Sequence, residues 1–317
     1  MRSYAGYVYI VLCAVLFSTM EVVLKTVQGV FAPLQISCLR FLIGGVVLLP
    51  FALRSIRKKG EVLHARDLPF FALTGFFCVA VSMTFYQLAV TYTKASVVAV
   101  IFSCNPIFVT VLAFLLLHED IRRSHLLALA LELLAVVMII DPLHSTLDPT
   151  GALLAVIAAV FFAFYSVLGK KRTVRFGGIA VTCLSFLFGA TELLCVLLFG
   201  RTAAGSGFFR ALGLDIFADV PLLENIPLSA LPAFLYICVA VSAGGYVCHM
   251  MAMEKTSARE ASLIFFLKPI LAPLIARLFL HEALTANMLL GIACFLLGSG
   301  LTVVPGLLEE WRRTHAA

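Results

Sequence analysis

The stretch AREASLIFFLKPILAPLIARLFL, Ala258–Leu280, decides how this chain is read. It is apolar over a length that crosses the hydrocarbon core of a bilayer. Yet Lys268 stands near its middle, directly before Pro269. An unpaired ammonium in hydrocarbon is costly, so a mid-membrane lysine is a functional-site candidate. Proline at the next position removes one helical hydrogen bond and kinks or breaks the helix. The carbonyls it frees are tolerated at this depth only where they pack against protein or line water. An earlier stretch, Ala95–Leu117, ASVVAVIFSCNPIFVTVLAFLLL, repeats the pattern with Asn105-Pro106 in its middle. Both stretches run into His-Glu, His118-Glu119 and His281-Glu282, at the same distance from the proline. The repetition predicts an internal duplication whose halves meet around a polar centre.

Composition carries the reading to the whole chain. Its 317 residues are 62% hydrophobic and 13% charged, which no soluble domain of this size matches. The formal net charge of +6 reads as loop lysines and arginines that set orientation, not as a nucleic-acid surface. Nine cysteines lie scattered in apolar segments without a CxxC pair, which predicts neither a metal site nor a disulfide framework.

Ten apolar runs are expected to form membrane helices: Tyr7–Val27, Leu34–Leu53, Leu68–Thr91, Ala95–Leu117, His125–Ile140, Gly151–Gly169, Ile179–Phe199, Ala230–Ala252, Ala258–Leu280 and Thr285–Val304. The first contains Glu21 and Lys25 and lacks a small-residue cleavage site, so it reads as a mature span and not a signal peptide. With a cytoplasmic N-terminus, 16 of the 23 lysines and arginines fall on the inner side. That bias predicts a multi-pass protein of a bacterial-type inner membrane with both termini in the cytoplasm.

The duplication reaches beyond the two proline stretches. Gly6…Phe17…Lys25 matches Gly151…Phe162…Lys170, and Cys38-Leu39-x-Phe41-Leu42-x-Gly44 matches Cys183-Leu184-x-Phe186-Leu187-x-Gly189 at the same offset. Residues 1–145 and 146–317 thus read as two five-span repeats, the second carrying a long outer loop at 200–229. An odd number of spans per repeat inverts the second copy in the membrane, as in secondary transporters.

Ten spans, a 5+5 inverted repeat and a proline-containing fourth helix in each half resemble the EamA-like branch of the drug/metabolite transporter superfamily. The resemblance implies an all-α carrier with a central cavity lined by spans one, three, four, six, eight and nine. It also implies a small-molecule substrate, with export of amino acids or related metabolites driven by an ion gradient such as protons. Alternatives within the superfamily are exchange of a larger anion, such as a nucleotide derivative, and proton-coupled export of drugs or cations. A functional monomer in the lipid bilayer is expected, with no cofactor.

The candidate residues follow from burial cost. Lys268 and Asn105 lie about 15 Å from either surface at 1.5 Å per residue. Lys268 is the candidate to neutralise a substrate carboxylate or phosphate, and Asn105 to hydrogen-bond its polar groups. Pro106 and Pro269 are expected to break their helices there. Tyr86, Tyr165, Ser166 and Phe265 are further candidate lining residues, with Gln87 and His249 nearby in the spans. Glu21 and Arg40 sit at similar depth on consecutive antiparallel spans, which predicts a salt bridge between them, structural or gating. Glu132 and Glu192 are single buried carboxylates, read as packing groups with proton coupling as the alternative. Glu119 and Glu282 fall at span ends and are expected to cap or orient the helix that follows each. No glycine-rich phosphate loop, HExxH or Ser/His/Asp constellation is present, so no enzyme is predicted.

Overall fold

The computed structural model describes residues 3–117, 123–140, 149–224, 226–256, 261 and 263–315. Among them all regular structure is helical, apart from one isolated bridge between Gln28 and Phe31. The helices are α1 Ser3–Thr26, α2 Pro33–Lys58, α3 Ala65–Tyr92, α4 Ala95–Phe102, α5 Asn105–Leu117 and α6 Arg123–Ile140. The second half holds α7 Pro149–Phe176, α8 Gly178–Gly200, α9 Ala203–Ala211, α10 Leu228–Lys255, α11 Leu263–Leu280 and α12 Ala286–His315. Among the described residues eight helices, counting α4 and α5 as one run, are long and apolar enough to cross a membrane. The fifth and tenth expected spans fall on α6 and α12, which pack against each other.

The packing pattern repeats when the halves are exchanged. The pair α2–α8 maps onto itself, as do α6–α12 and α4–α11. The contact of α1 with α10 is matched by α7 with α3, and that of α1 with α11 by α7 with α4 and α5. A further echo of the duplication is the pentapeptide CVAVS, present as Cys78–Ser82 and as Cys238–Ser242. Both copies lie in π-helical stretches, Phe76–Met83 within α3 and Tyr236–Gly245 within α10. A π turn inserts a residue into the ladder and marks functional sites disproportionately often. Tyr86 and Tyr246 each follow their CVAVS at the same spacing, one in each half.

The two prolines behave differently. Pro106 is the second residue of α5, and α4 ends at Phe102, so the Ser103-Cys104 turn interrupts the fourth span as expected. Pro269 does not break its helix: α11 runs continuously through both Pro269 and Pro273. Proline's fixed φ is compatible with a helix; what it removes is the N–H that would satisfy the carbonyl four residues earlier. In α11 that carbonyl belongs to Phe265.

The long loop is partly helical and fastened. Thr202 caps α9 by accepting from the Gly205 amide at 3.0 Å. Arg201 grips Glu224 with two bonds of 2.7 and 3.0 Å and holds that carboxyl below its ordinary range. Gln35 of α2 donates to the Leu222 carbonyl at 3.0 Å, which ties the loop to the first half.

Candidate functional site

Six helices bring ionisable or polar groups to one buried centre. Glu21 comes from α1, Tyr86 from α3, Tyr165 and Ser166 from α7, Tyr246 and His249 from α10, and Lys268 from α11; Asn105 stands at the start of α5. Arg40 of α2 joins them, and all nine are buried.

The central contact is an ion pair between Lys268 Nζ and Glu21 Oε1 at 2.5 Å, both side chains withdrawn from solvent. The Lys268 ammonium is also ringed by aromatic faces, 4.9 Å from the Phe102 centroid, 5.6 Å from Tyr86 and 5.9 Å from Phe17. The expected bridge between Glu21 and Arg40 is therefore corrected: the cation that pairs with Glu21 is Lys268. Depth was matched, but helical phase was not. Successive residues on a helix point about 100° apart. On α1, Glu21 turns towards α11, while its neighbour Met20 turns towards α2 and accepts from Arg40 Nη1 at 3.6 Å. Lys268 is accordingly a committed partner of a protein carboxylate, not a free ammonium.

Arg40 has the opposite circumstances. Its guanidinium lies 4.5 Å over the Phe41 ring. Among the described residues no carboxylate pairs with it, and its Nε and Nη2 have no hydrogen-bond partner.

The other candidates divide between structure and open valence. Asn105 donates to the Ala159 carbonyl of α7 at 2.7 Å, which leaves its Oδ1 without a partner. Ser166 and His249 share a hydrogen bond of 3.1 Å between α7 and α10, and His249 Nδ1 has none. Phe265 packs near Phe102, Phe162 and His249, with ring centroids 6.4, 6.2 and 5.9 Å away. The Tyr165 ring lies 5.7 Å from Phe162. Sequence reading missed Tyr246, whose ring contacts Phe17, Phe41, Phe162 and Phe186. The repeated CVAVS at a fixed distance before Tyr86 and Tyr246 was the signal that would have found it.

Polar staples tie helix ends together on both faces of the bundle. On the face bearing the α1–α2 turn, Glu282 accepts from the Ala95 amide at 2.9 Å, the Ser96 amide at 3.1 Å and the Ser96 hydroxyl at 2.5 Å. It thus caps α4 in the other half, which corrects the expectation that it caps the following helix. The first amides of α4 lack a side-chain cap of their own, so a carboxylate from α11's end fills the vacancy. Glu119, the matching residue, lies outside the described residues. Lys25 adds bonds to the Val90 and Thr93 carbonyls at 2.8 and 3.0 Å. On the opposite face Glu254 joins Lys59 at 2.8 Å to the Gly178 amide at 2.7 Å.

Comparison with known proteins gives a consistent picture. The profile of the EamA-like transporter family matches residues 4–141 and 149–304. A protein from Clostridium kluyveri named as an uncharacterized transporter is 35% identical over 302 residues, covering 93% of this chain and 91% of its own. Protein PagO of Salmonella typhimurium is 24% identical over 290 residues, covering 90% and 87%. A solved crystal structure superposes with a TM-score of 0.67 at 17% identity, covering 96% of this chain and 98% of the other, which speaks to the fold alone.

Proposed function

The chain belongs to the EamA-like transporter family, and on that footing we propose that it exports a small metabolite, of the amino acid and related carboxylic class, by alternating access. One observation carries the reading: a buried charged pair, Glu21–Lys268, set among polar groups from both repeats where the helices are irregular. Helix interruptions at mid-depth expose backbone and side-chain groups to a substrate in secondary transporters. Here the Ser103-Cys104 turn and the two π stretches supply them. The opposed staples at Glu282 and Glu254 suit a carrier whose two faces open in turn. The protein is expected to work as a monomer with both termini in the cytoplasm.

Flux into and out of reconstituted vesicles tests the proposal, since a carrier moves solute without altering it. Lys268→Ala is expected to abolish that flux in protein that still inserts. Undiminished flux in this variant removes the central pair from the mechanism.

A further inference from the structure

We propose that Arg40 is the anion-binding residue of the transport site, and that the substrate it selects carries one net negative charge on a carboxylate. The proposal rests on the carrier reading above and narrows its substrate class.

Charge is the first argument. Of the three charged side chains buried at the centre, Glu21 and Lys268 cancel each other. Arg40 stands as one uncompensated cation among the described residues, fully buried. A guanidinium does not escape this cost by losing its proton. The groups that act on it electrostatically are Tyr246, Tyr86, Cys238 and Cys78, which supply no formal negative charge while protonated. A buried ion is retained where it is paired, and the missing partner here is a single anionic group.

Geometry is the second. One edge of the guanidinium is spent on Met20 Sδ and one face on the Phe41 ring. The unspent donors are Nε and Nη2, two adjacent N–H groups with no acceptor. A carboxylate takes two parallel bonds from that edge, which an ammonium point charge cannot offer.

Access is the third. A cleft of about 270 Å³ opens between the ends of α1, α2 and α3, lined in part by Leu24, Ile36 and Gln87. One helical turn deeper on those helices sit Met20, Arg40 and Met83. Gln87 presents an unpartnered Oε1 on the way, an acceptor for a hydroxyl or amide of the passing solute. Met20 of α1 contacts the guanidinium directly, one turn below the cleft.

The test uses full-length protein in detergent and two series, each with a fixed apolar group. The first is 4-methylpentanoate, leucine and isopentylamine; the second is 3-phenylpropanoate, phenylalanine and phenethylamine. A ligand that binds only the folded state raises the unfolding temperature. The carboxylates are expected to stabilise, the zwitterions less by about tenfold in apparent Kd, and the amines not at all. Arg40→Gln is expected to erase the preference, and Arg40→Lys to keep part of it. Equal or stronger stabilisation by the amines or zwitterions, no stabilisation by either carboxylate, or a carboxylate shift that survives in Arg40→Gln overturns the assignment. Where Arg40→Gln fails to fold, Arg40→Lys carries the comparison, and a carboxylate shift undiminished in that variant overturns the assignment. Flux separates this proposal from the broader one. Vesicles that move zwitterions or amines equally with wild type and Arg40→Gln keep the carrier and overturn Arg40. Carboxylates that bind through Arg40 but never cross the membrane support Arg40 and overturn the carrier.

Discussion

At the scale of single residues the centre is governed by which charge meets which. Glu21 and Lys268 are in direct contact, and Arg40 is not part of that pair. Removing one member of a buried pair strands the other, at a cost of roughly 3–5 kcal/mol, whereas replacing both by apolar or neutral groups is often nearly harmless. Glu21→Gln and Lys268→Met are each expected to destabilise the protein by that amount, and the double variant to recover most of it. Glu21→Gln combined with Arg40→Gln is expected to be additive instead. Denaturant unfolding of the three single variants, Arg40→Gln included, and the two doubles checks this, and strong coupling between Glu21 and Arg40 contradicts the contact described. The charged residues themselves were legible, because a lysine or glutamate in an apolar run is visible in the sequence. Their pairing was not, because one step along α1 rotates the side chain from α11 to α2.

At the scale of elements, helix ends and interruptions do the positioning. The start of α4 depends on a carboxylate from the far end of α11, not on its own sequence. Glu282→Gln removes the charge while keeping an acceptor of similar shape. Loss of an N-terminal cap costs about 0.5–2 kcal/mol, and this variant is expected at the lower part of that range. The local readout is faster amide exchange at Ala95 and Ser96, with little change in α11. Unchanged exchange at those two amides would show that α4 does not lean on Glu282. The contrast between Pro106 and Pro269 belongs to the same scale. Proline marks a place where a ladder bond is missing, but whether the chain turns there depends on neighbours. Asn105 is anchored to α7 and begins a new helix, while α11 continues through Pro269.

At the scale of the whole molecule, the repeats pack closely, and the proposed carrier cycle requires that they also move. Where α3 crosses α8, Gly75 and Gly189 face each other. A Cβ added to Gly75 would lie 2.5 Å from both the Gly189 nitrogen and the Ser185 carbonyl oxygen. Backbone cannot yield as a side-chain tip can, so Gly75→Ala is expected to destabilise by about 1–3 kcal/mol, the cost of an overpacked core. A thermal unfolding scan that shows no loss would mean the crossing is looser than described. Motion is tested at the centre. Cys104 is a poor reporter, since it packs with Ile107, Ala135 and Phe295 towards α6 and α12. Phe102 lies 4.9 Å from the Lys268 ammonium and is the better position. Phe102→Cys, with the native cysteines replaced, is expected to react with membrane-impermeant thiol reagents from either side, at rates that a transported solute changes. Reaction from one side alone, indifferent to solute, contradicts alternating access.

The sequence by itself determined the solvent and the repeated unit. Long apolar runs require a bilayer, and the repeated proline stretches reveal the duplication. These are properties of local composition and spacing, which a linear reading preserves. Only the tertiary structure decided that Lys268 belongs to Glu21, that Glu282 caps a helix in the other half and that Arg40 is left with donors to spare. Each of those depends on how a helix is rotated about its axis and which helix of the opposite repeat it meets. Spacing along the chain carries depth in the membrane, but the azimuth that brings two side chains together is set by packing.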